Sequence, residues 1–146
     1  MIAIGSDHAG YEMKSAIVNW LNENDIPVID FGTNSIDSVD YTDYAHFVSG
    51  SIIDGESVIG ILICGSGNGV SMTANKWVDI RSAICWNSEI ASLARKHNDA
   101  NILCLPARFI SIDDSIQILE TFLDTEFEGK KKKKRVNKIN PSFNID

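Results

Sequence analysis

One stretch limits what this chain can fold into more than any other. Val58-Ile59-Gly60-Ile61-Leu62-Ile63-Cys64 is followed directly by Gly65-Ser66-Gly67-Asn68-Gly69. The first segment has no polar alternation and is short for a helix, so it reads as a strand buried on both faces. Such strands belong to parallel sheets, whose crossovers cover both faces with helices. The glycine-rich segment then marks a tight turn into a helical stretch from Val70 to Lys76.

The rest of the chain repeats this alternation. Met1 to Gly5, Val28 to Phe31, Ile80 to Trp86 and Ile102 to Leu105 are the other strand-like runs. From His8 to Asn24, Ala9, Met13, Ala16, Ile17, Trp20 and Leu21 recur at helical spacing. Tyr41 to Ile53 carries Ala45, Val48 and Ile52 on one face. Ser88 to His97 is helical with Ser88 as its N-cap, and Ser111 opens a helix to Phe122 with Asp113 and Asp114 in the first turn. The lysines from Lys130 open a last helix before Pro141 and a polar tail. Five strands separated by helices predict one α/β domain over 146 residues, a doubly wound five-stranded parallel sheet with helices on both faces.

Composition narrows the function classes. No apolar run is long enough to span a bilayer, and the N-terminus lacks the basic and apolar regions of a signal peptide. A cytosolic location and no membrane partner are expected. The three cysteines, Cys64, Cys85 and Cys104, form no Cys-x-x-Cys pair, which argues against a disulfide framework or a zinc site. The formal net charge is −7. Positions 130–135 alone hold six positive charges, so the remainder sums to −13. An acidic body with one basic block disfavours general nucleic-acid binding and suits local capture of a small anion.

In a sheet of this kind ligands bind beyond the carboxyl ends of the strands. Asp7-His8, Tyr41, Cys64 with its glycine loop, and Arg108 are expected there. The amides of Gly65, Gly67 and Gly69 can converge on a phosphate or a developing oxyanion. The spacing matches neither the dinucleotide fingerprint nor a P-loop, and a plain strand-to-helix turn explains it equally well. A lone Cys is most often structural, yet Cys64 precedes both a nest and a helix N-terminus, which favour a thiolate able to act as nucleophile or base. Cys85 and Cys104 read as core, and His46 as a surface residue. His8 and His97, the latter followed by Asn98, are expected at the ligand edge, where Asp7 and the thiol would make acid–base chemistry with them. The lysine run reads as a solvated tail, a localisation signal or an anion site. Lys131 and Arg135 share a helix face, and lysines opening a helix oppose its dipole unless an anion sits there.

Several ordered motifs together carry a resemblance. They are Gly5-Ser6-Asp7-His8-Ala9-Gly10, Asp30-Phe31-Gly32-Thr33, Asp40-Tyr41, Cys64 to Gly69, Ala74-Asn75-Lys76, Ile80-Arg81-Ser82-Ala83, His97 to Asn101, and Glu128-Gly129 leading to Arg135-Val136. In these the chain resembles the B-type ribose-5-phosphate isomerases, a family related to the galactose-6-phosphate isomerase subunits. The resemblance implies a three-layer Rossmann-like fold, no metal or organic cofactor, and a homodimer, with a tetramer left open. It implies active sites shared at the interface, with the C-terminal basic residues reaching the partner's site.

By the same resemblance, Cys64 is the base that moves a proton between C1 and C2 of ribose 5-phosphate through an enediolate, giving ribulose 5-phosphate in the non-oxidative pentose phosphate branch. The amides of Gly65 to Gly69, Asn68 included, form the anion hole, with Ser66 near the reacting oxygens. His97 opens the furanose ring. Asp7 and Asn98 hold sugar hydroxyls or relay protons, and Tyr41 lines the pocket. His8, Arg108, Lys131 and Arg135 match phosphate-side positions. The family has a second version of its base, a Glu directly after the loop. Val70 stands there, which places this chain in the Cys version. Thr42, Lys131 and Pro106 depart from the usual Pro, Arg and Gly, and none removes a group the chemistry requires. A six-carbon sugar phosphate such as allose or galactose 6-phosphate is the alternative substrate. A non-catalytic phosphate- or nucleotide-binding module, or a nucleic-acid binder using the lysine run, would be a different class.

Overall fold

The computed structural model describes residues 1–142; the last four residues of the tail lie outside the described part. The apolar runs become the strands β1 (Ile2–Ser6), β2 (Val28–Asp30), β3 (Ile59–Cys64), β4 (Ser82–Ile84) and β5 (Ile102–Pro106). Every strand pair is parallel, in the order β2-β1-β3-β5-β4. The helices are α1 (Tyr11–Glu23), α2 (Tyr41–Ile53), α3 (Asn68–Ala74), α4 (Ser88–Asn98), α5 (Ile112–Asp124) and α6 (Gly129–Asn137). The expected α/β class, strand number and parallel pairing are those observed.

Side chains alternate across the sheet with a period of two, which divides the core into two layers. Ile2, Ile4, Ile61, Ile63, Leu103 and Leu105 meet Ile17 and Leu21 of α1, Ala91 and Ala94 of α4, and Ile118 and Phe122 of α5. Ala3, Leu62, Cys64, Ile102 and Cys104 face the other way, against Ala45 and Val48 of α2 and Val70 and Ala74 of α3. The central position of β3, paired with both β1 and β5, explains why its sequence is apolar throughout.

Several boundaries differ from the sequence expectation, each for a local reason. The first helix does not begin at His8. The Asp7 carboxylate accepts from the Gly10 amide at 3.1 Å and shapes a 3-10 turn, His8–Gly10, before α1 starts. Ser88 is not the cap of α4. Asn87 is, its side chain accepting from the Ile90 amide at 2.9 Å. The strand expected from Ile80 begins only at Ser82. Asp79 has φ +70, the Ile80 amide turns back to the Trp77 carbonyl, and the Arg81 amide donates to the Asn101 side chain at 2.8 Å. Helix α3 starts earlier than Val70, at Asn68. Ser111 caps α5 as expected, accepting from the Asp114 amide at 3.0 Å.

One ion pair stands inside the apolar layer. Lys14 is 2% exposed, and its Nζ donates to both Asp30 carboxylate oxygens at 2.9 and 2.7 Å. Asp30 Oδ1 also accepts from the Gly32 amide at 2.9 Å. The pair ties α1 to the end of β2 and to the turn behind it. Removing one member of a buried pair costs about 3–5 kcal/mol when the other charge stays desolvated. The Asp30 side chain is 33% exposed, so Lys14→Met is expected to lower unfolding stability by a smaller amount, about 2 kcal/mol. Urea denaturation would read this as a lower midpoint at constant slope, and an unchanged midpoint would contradict the structural role assigned to the pair.

Candidate active site

The strand order dictates where a ligand cleft opens. From β1 the chain crosses through α1 to β2 on one side, whereas from β3 it crosses through α3 toward β4 on the other. The two connections diverge beyond the carboxyl ends of β1 and β3, which leaves a crevice at that switch point. A cavity of about 590 Å³ lies there, lined by Asp7, Tyr41, Cys64, Gly65, Ser66, Gly69, Met72, Arg108 and Phe109.

Each wall has its own anchor. Asp7 follows β1 directly and is 7% exposed; its amide donates to the Ile63 carbonyl at 3.1 Å, which fixes it against β3. Cys64 ends β3 and is 5% exposed. The turn after β5 is strapped to the glycine loop, with the Ala107 amide on the Cys64 carbonyl at 2.9 Å and the Arg108 amide on the Gly65 carbonyl at 3.0 Å. This strap brings the Arg108 guanidinium over Gly65, where an added Cβ would lie 3.1 Å from Nη1.

The loop itself needs its glycines. Gly67 has φ +77, a left-handed conformation that L side chains rarely adopt. A Cβ on Gly69 would come within 2.6 Å of the Tyr41 ring, so the bare backbone lets Tyr41 close that wall. Ser66 Oγ accepts from the Asn68 amide at 3.2 Å, and the first bond into α3 runs from the Ser71 amide to the Gly67 carbonyl at 3.3 Å. The amides of Gly69 and Val70 therefore have no intrahelical acceptor. Among the described residues they donate to no other protein group either. They supply the free donors that an anion needs at a helix start.

The three thiols differ in setting. Cys85 is fully buried, and desolvation pushes its thiol up to about 12. Cys104 is also fully buried and is pushed higher still, chiefly by the same desolvation, against weaker hydrogen bonding from Ser82 and Ser71. Both stay protonated at neutral pH, as their reading as core residues requires. Cys64 alone among them lines the cavity.

The expected residues divide into two groups. Asp7, Tyr41, Cys64, Gly65, Ser66, Gly69 and Arg108 meet at the cavity. Gly67 and Asn68 complete the loop behind it. His8 sits beside it and turns to the following loop, its Nδ1 accepting from the Val39 amide at 3.2 Å. His97 and Asn98 do not meet Cys64 within this chain, and here the sequence expectation is corrected. Helix α4 starts at the carboxyl edge after β4 and runs back about 16 Å to the amino edge before β5. Asn98 borders a separate concavity with Arg81 and Ala100 at that far edge. The Glu128 amide donates to the Lys96 carbonyl at 3.1 Å, so α6, with Lys131 and Arg135, is docked at the far edge too. The Glu128 carboxyl is held below its usual range by the hydrogen bond and charge of Lys132, with a smaller effect from His97 nearby. His46, expected at the surface, is exposed and accepts from Trp77 Nε1 at 2.9 Å.

Two cavity residues were not singled out from the sequence, Met72 and Phe109. Both are large, apolar and open to solvent, at 67% and 75% exposure. Their positions could have flagged them, because Met72 is one turn beyond Gly69 on α3 and Phe109 follows Arg108. Among the described residues, no three His, Cys, Asp or Glu side chains converge in a way that could hold a metal ion, and no helix is long and apolar enough to cross a membrane.

Known proteins share this fold and much of this sequence. The family model described as Ribose/Galactose Isomerase matches residues 2–139. The probable ribose-5-phosphate isomerase B of Mycoplasma pneumoniae is 44% identical, over 94% of this chain and 91% of its own. Ribose-5-phosphate isomerase B of Escherichia coli is 40% identical, over 94% of this chain and 93% of its own. The crystal structure of a ribose 5-phosphate isomerase from Thermotoga maritima superposes with a TM-score of 0.95 at 47% identity, covering 97% of each chain. Ribose-5-phosphate isomerase B from Mycoplasma genitalium, solved with bound ribulose-5-phosphate, superposes at 0.91 with 39% identity, covering 94% of this chain and 92% of that one. With a match over nearly its full length, the chain belongs to the ribose/galactose isomerase family and is an isomerase, alongside relatives named as ribose-5-phosphate isomerase B.

Proposed function

We propose that the protein interconverts D-ribose 5-phosphate and D-ribulose 5-phosphate in the cytoplasm, with Cys64 as the base. The observation that carries this reading is the placement of Cys64 at the switch-point cavity, beside a glycine loop with unengaged amides. Isomerisation of this kind removes a weakly acidic C2 proton and returns it at C1, while a proton moves from O2 to O1. It requires a positioned base, donors for the enediolate oxygens and an anchor for the phosphate. The Cys64 thiolate carries the proton between the carbons. The amides of Gly65, Gly67 and Gly69, with Ser66, face the developing negative charge, while the Asn68 amide, held by Ser66 Oγ, keeps the loop in shape. Asp7 and Tyr41 hold the sugar hydroxyls, and His8 and Arg108 add to the anchoring of the anion.

His97, Asn98, Lys131 and Arg135 lie at the opposite edge of their own chain, so in this reading they act on the cavity of a second copy. Each of two chains then contributes Cys64 to one site and His97 to the other, as a twofold interface allows. His97 assists ring opening, Asn98 binds the sugar, and Lys131 with Arg135 grips the phosphate. The exposed apolar residues that line the cavity, Met72 and Phe109, support a covering partner.

Three measurements test this. Purified protein is expected to turn over ribose 5-phosphate faster than allose or galactose 6-phosphate, and folded Cys64→Ala to lose about a thousandfold in kcat. A preference for a hexose phosphate would move the substrate and keep the mechanism; no turnover of any of them would refute the reading. Iodoacetamide is expected to label Cys64 well before Cys85 and Cys104, with ribose 5-phosphate slowing the reaction. Equal labelling of all three would contradict the assigned accessibility. Mixing equal amounts of inactive Cys64→Ala and inactive His97→Gln chains is expected to restore about a quarter of wild-type activity, since half of the dimers are mixed and each of those has one intact site of two. Absence of any recovery after subunit exchange would place His97 outside a shared site.

A further inference from the structure

Helix α6 holds five consecutive lysines and an arginine, yet only Lys132 forms an ion pair among the described residues, with Glu128 at 2.9 Å. The helical period divides these charges into three rows. Lys132 and Val136 turn inward, Val136 being 9% exposed where α6 packs on α4. Lys131 and Arg135 form a second row, the one assigned above to the phosphate. Lys130, Lys133 and Lys134 form a third, exposed row with no task in the reaction. These three repel one another, and Lys130 also stands in the first turn, where the helix dipole disfavours it. The lysines stand on a body that otherwise sums to −13, and net negative charge disfavours the approach of an anion.

We propose that Lys130, Lys133 and Lys134 form an electrostatic guide at the mouth of the second copy's cavity. They concentrate the phosphate dianion there without touching it in the bound state. This rests on the reading that α6 completes the neighbouring site. The guide acts on the encounter, so it raises kcat/KM rather than kcat, and it fades once salt shortens the reach of the charges. Lys131 and Arg135, which hold the phosphate, act at every ionic strength.

The test uses the full chain with Lys130→Gln, Lys133→Gln and Lys134→Gln combined, since Gln keeps helix propensity while removing charge. Turnover of ribose 5-phosphate and competitive inhibition by inorganic phosphate are measured at about 0.01 M and about 0.3 M ionic strength. At low salt the triple variant is expected to lose about tenfold in kcat/KM and to weaken phosphate inhibition in parallel, with kcat nearly unchanged. At high salt wild type and variant converge. Identical kcat/KM and salt dependence in the two proteins, with Lys131→Gln and Arg135→Gln still impaired, overturns the guide and leaves the proposed function standing. A defect that persists undiminished at high salt overturns it as well, because it points to lost contact or altered helix packing. If Lys131→Gln and Arg135→Gln are also without effect, α6 does not reach the site, and the guide fails together with that part of the proposed function.

Discussion

The pairing of β1 with β3 underlies everything else in this molecule. Five residues of β1, Ile2 to Ser6, run in register with Ile59 to Ile63. Because the two strands are parallel and their crossovers depart in opposite directions, the backbone separates just past their carboxyl ends. Asp7 and Cys64 emerge there as neighbours. The apolar content of β3 and the close contacts of its flanking helices make this pairing rigid, and a proton-transfer site depends on rigid placement of its base. Loop residues do the chemistry, while the buried strands hold those loops at a fixed separation.

Much of this was legible in the sequence, for reasons that can be named residue by residue. The run from Val58 to Cys64 announced a central strand because its burial on both faces leaves no room for polar alternation. The glycine loop announced a turn because Gly67 occupies a left-handed conformation. Other features depended on tertiary context. Nothing in the local pattern separates Lys14, at 2% exposure, from a solvated lysine on an amphipathic helix, because its partner Asp30 lies far along the chain. The apolar pattern from Ile80 to Trp86 starts β4 too early because it does not show that the Ile80 and Arg81 amides are claimed by the Trp77 carbonyl and the Asn101 side chain. His97 and Cys64 looked like neighbours because both follow secondary structure near polar motifs. Helix direction separates them: a crossover helix between two parallel strands must end at the amino edge of the sheet.

That separation changes how the motifs in this chain are to be understood. Residues that read as one set along the sequence occupy two opposite edges of one fold. At the carboxyl edge stand the thiol, the carboxylate and the amide donors. At the amino edge stand an imidazole, an amide side chain and a dense row of cations. The amino edge is braced by its own network: Arg95 Nη1 reaches Asp99 Oδ1 at 3.0 Å, and Arg81 Nε donates to the Asp99 carbonyl at 2.8 Å. Asp99 itself adopts a left-handed conformation, φ 48, as α4 ends. The bracing holds the end of α4 firmly, a requirement for presenting side chains outward.

The distribution of amines has a practical consequence for anyone handling this protein. Lys14 is sealed inside the core by Asp30, whereas Lys130, Lys131, Lys133 and Lys134 stand together in open solvent. Amine-directed labels, surface-coupling chemistry and trypsin will therefore act most densely on one short helix, docked through Val136 and the contacts of Glu128, while Lys76 and Lys96 stand exposed singly elsewhere. Attachment through cysteine would fare no better, since each thiol is either in the core or in the cavity. A conjugation handle is best placed at an exposed position remote from both edges of the sheet.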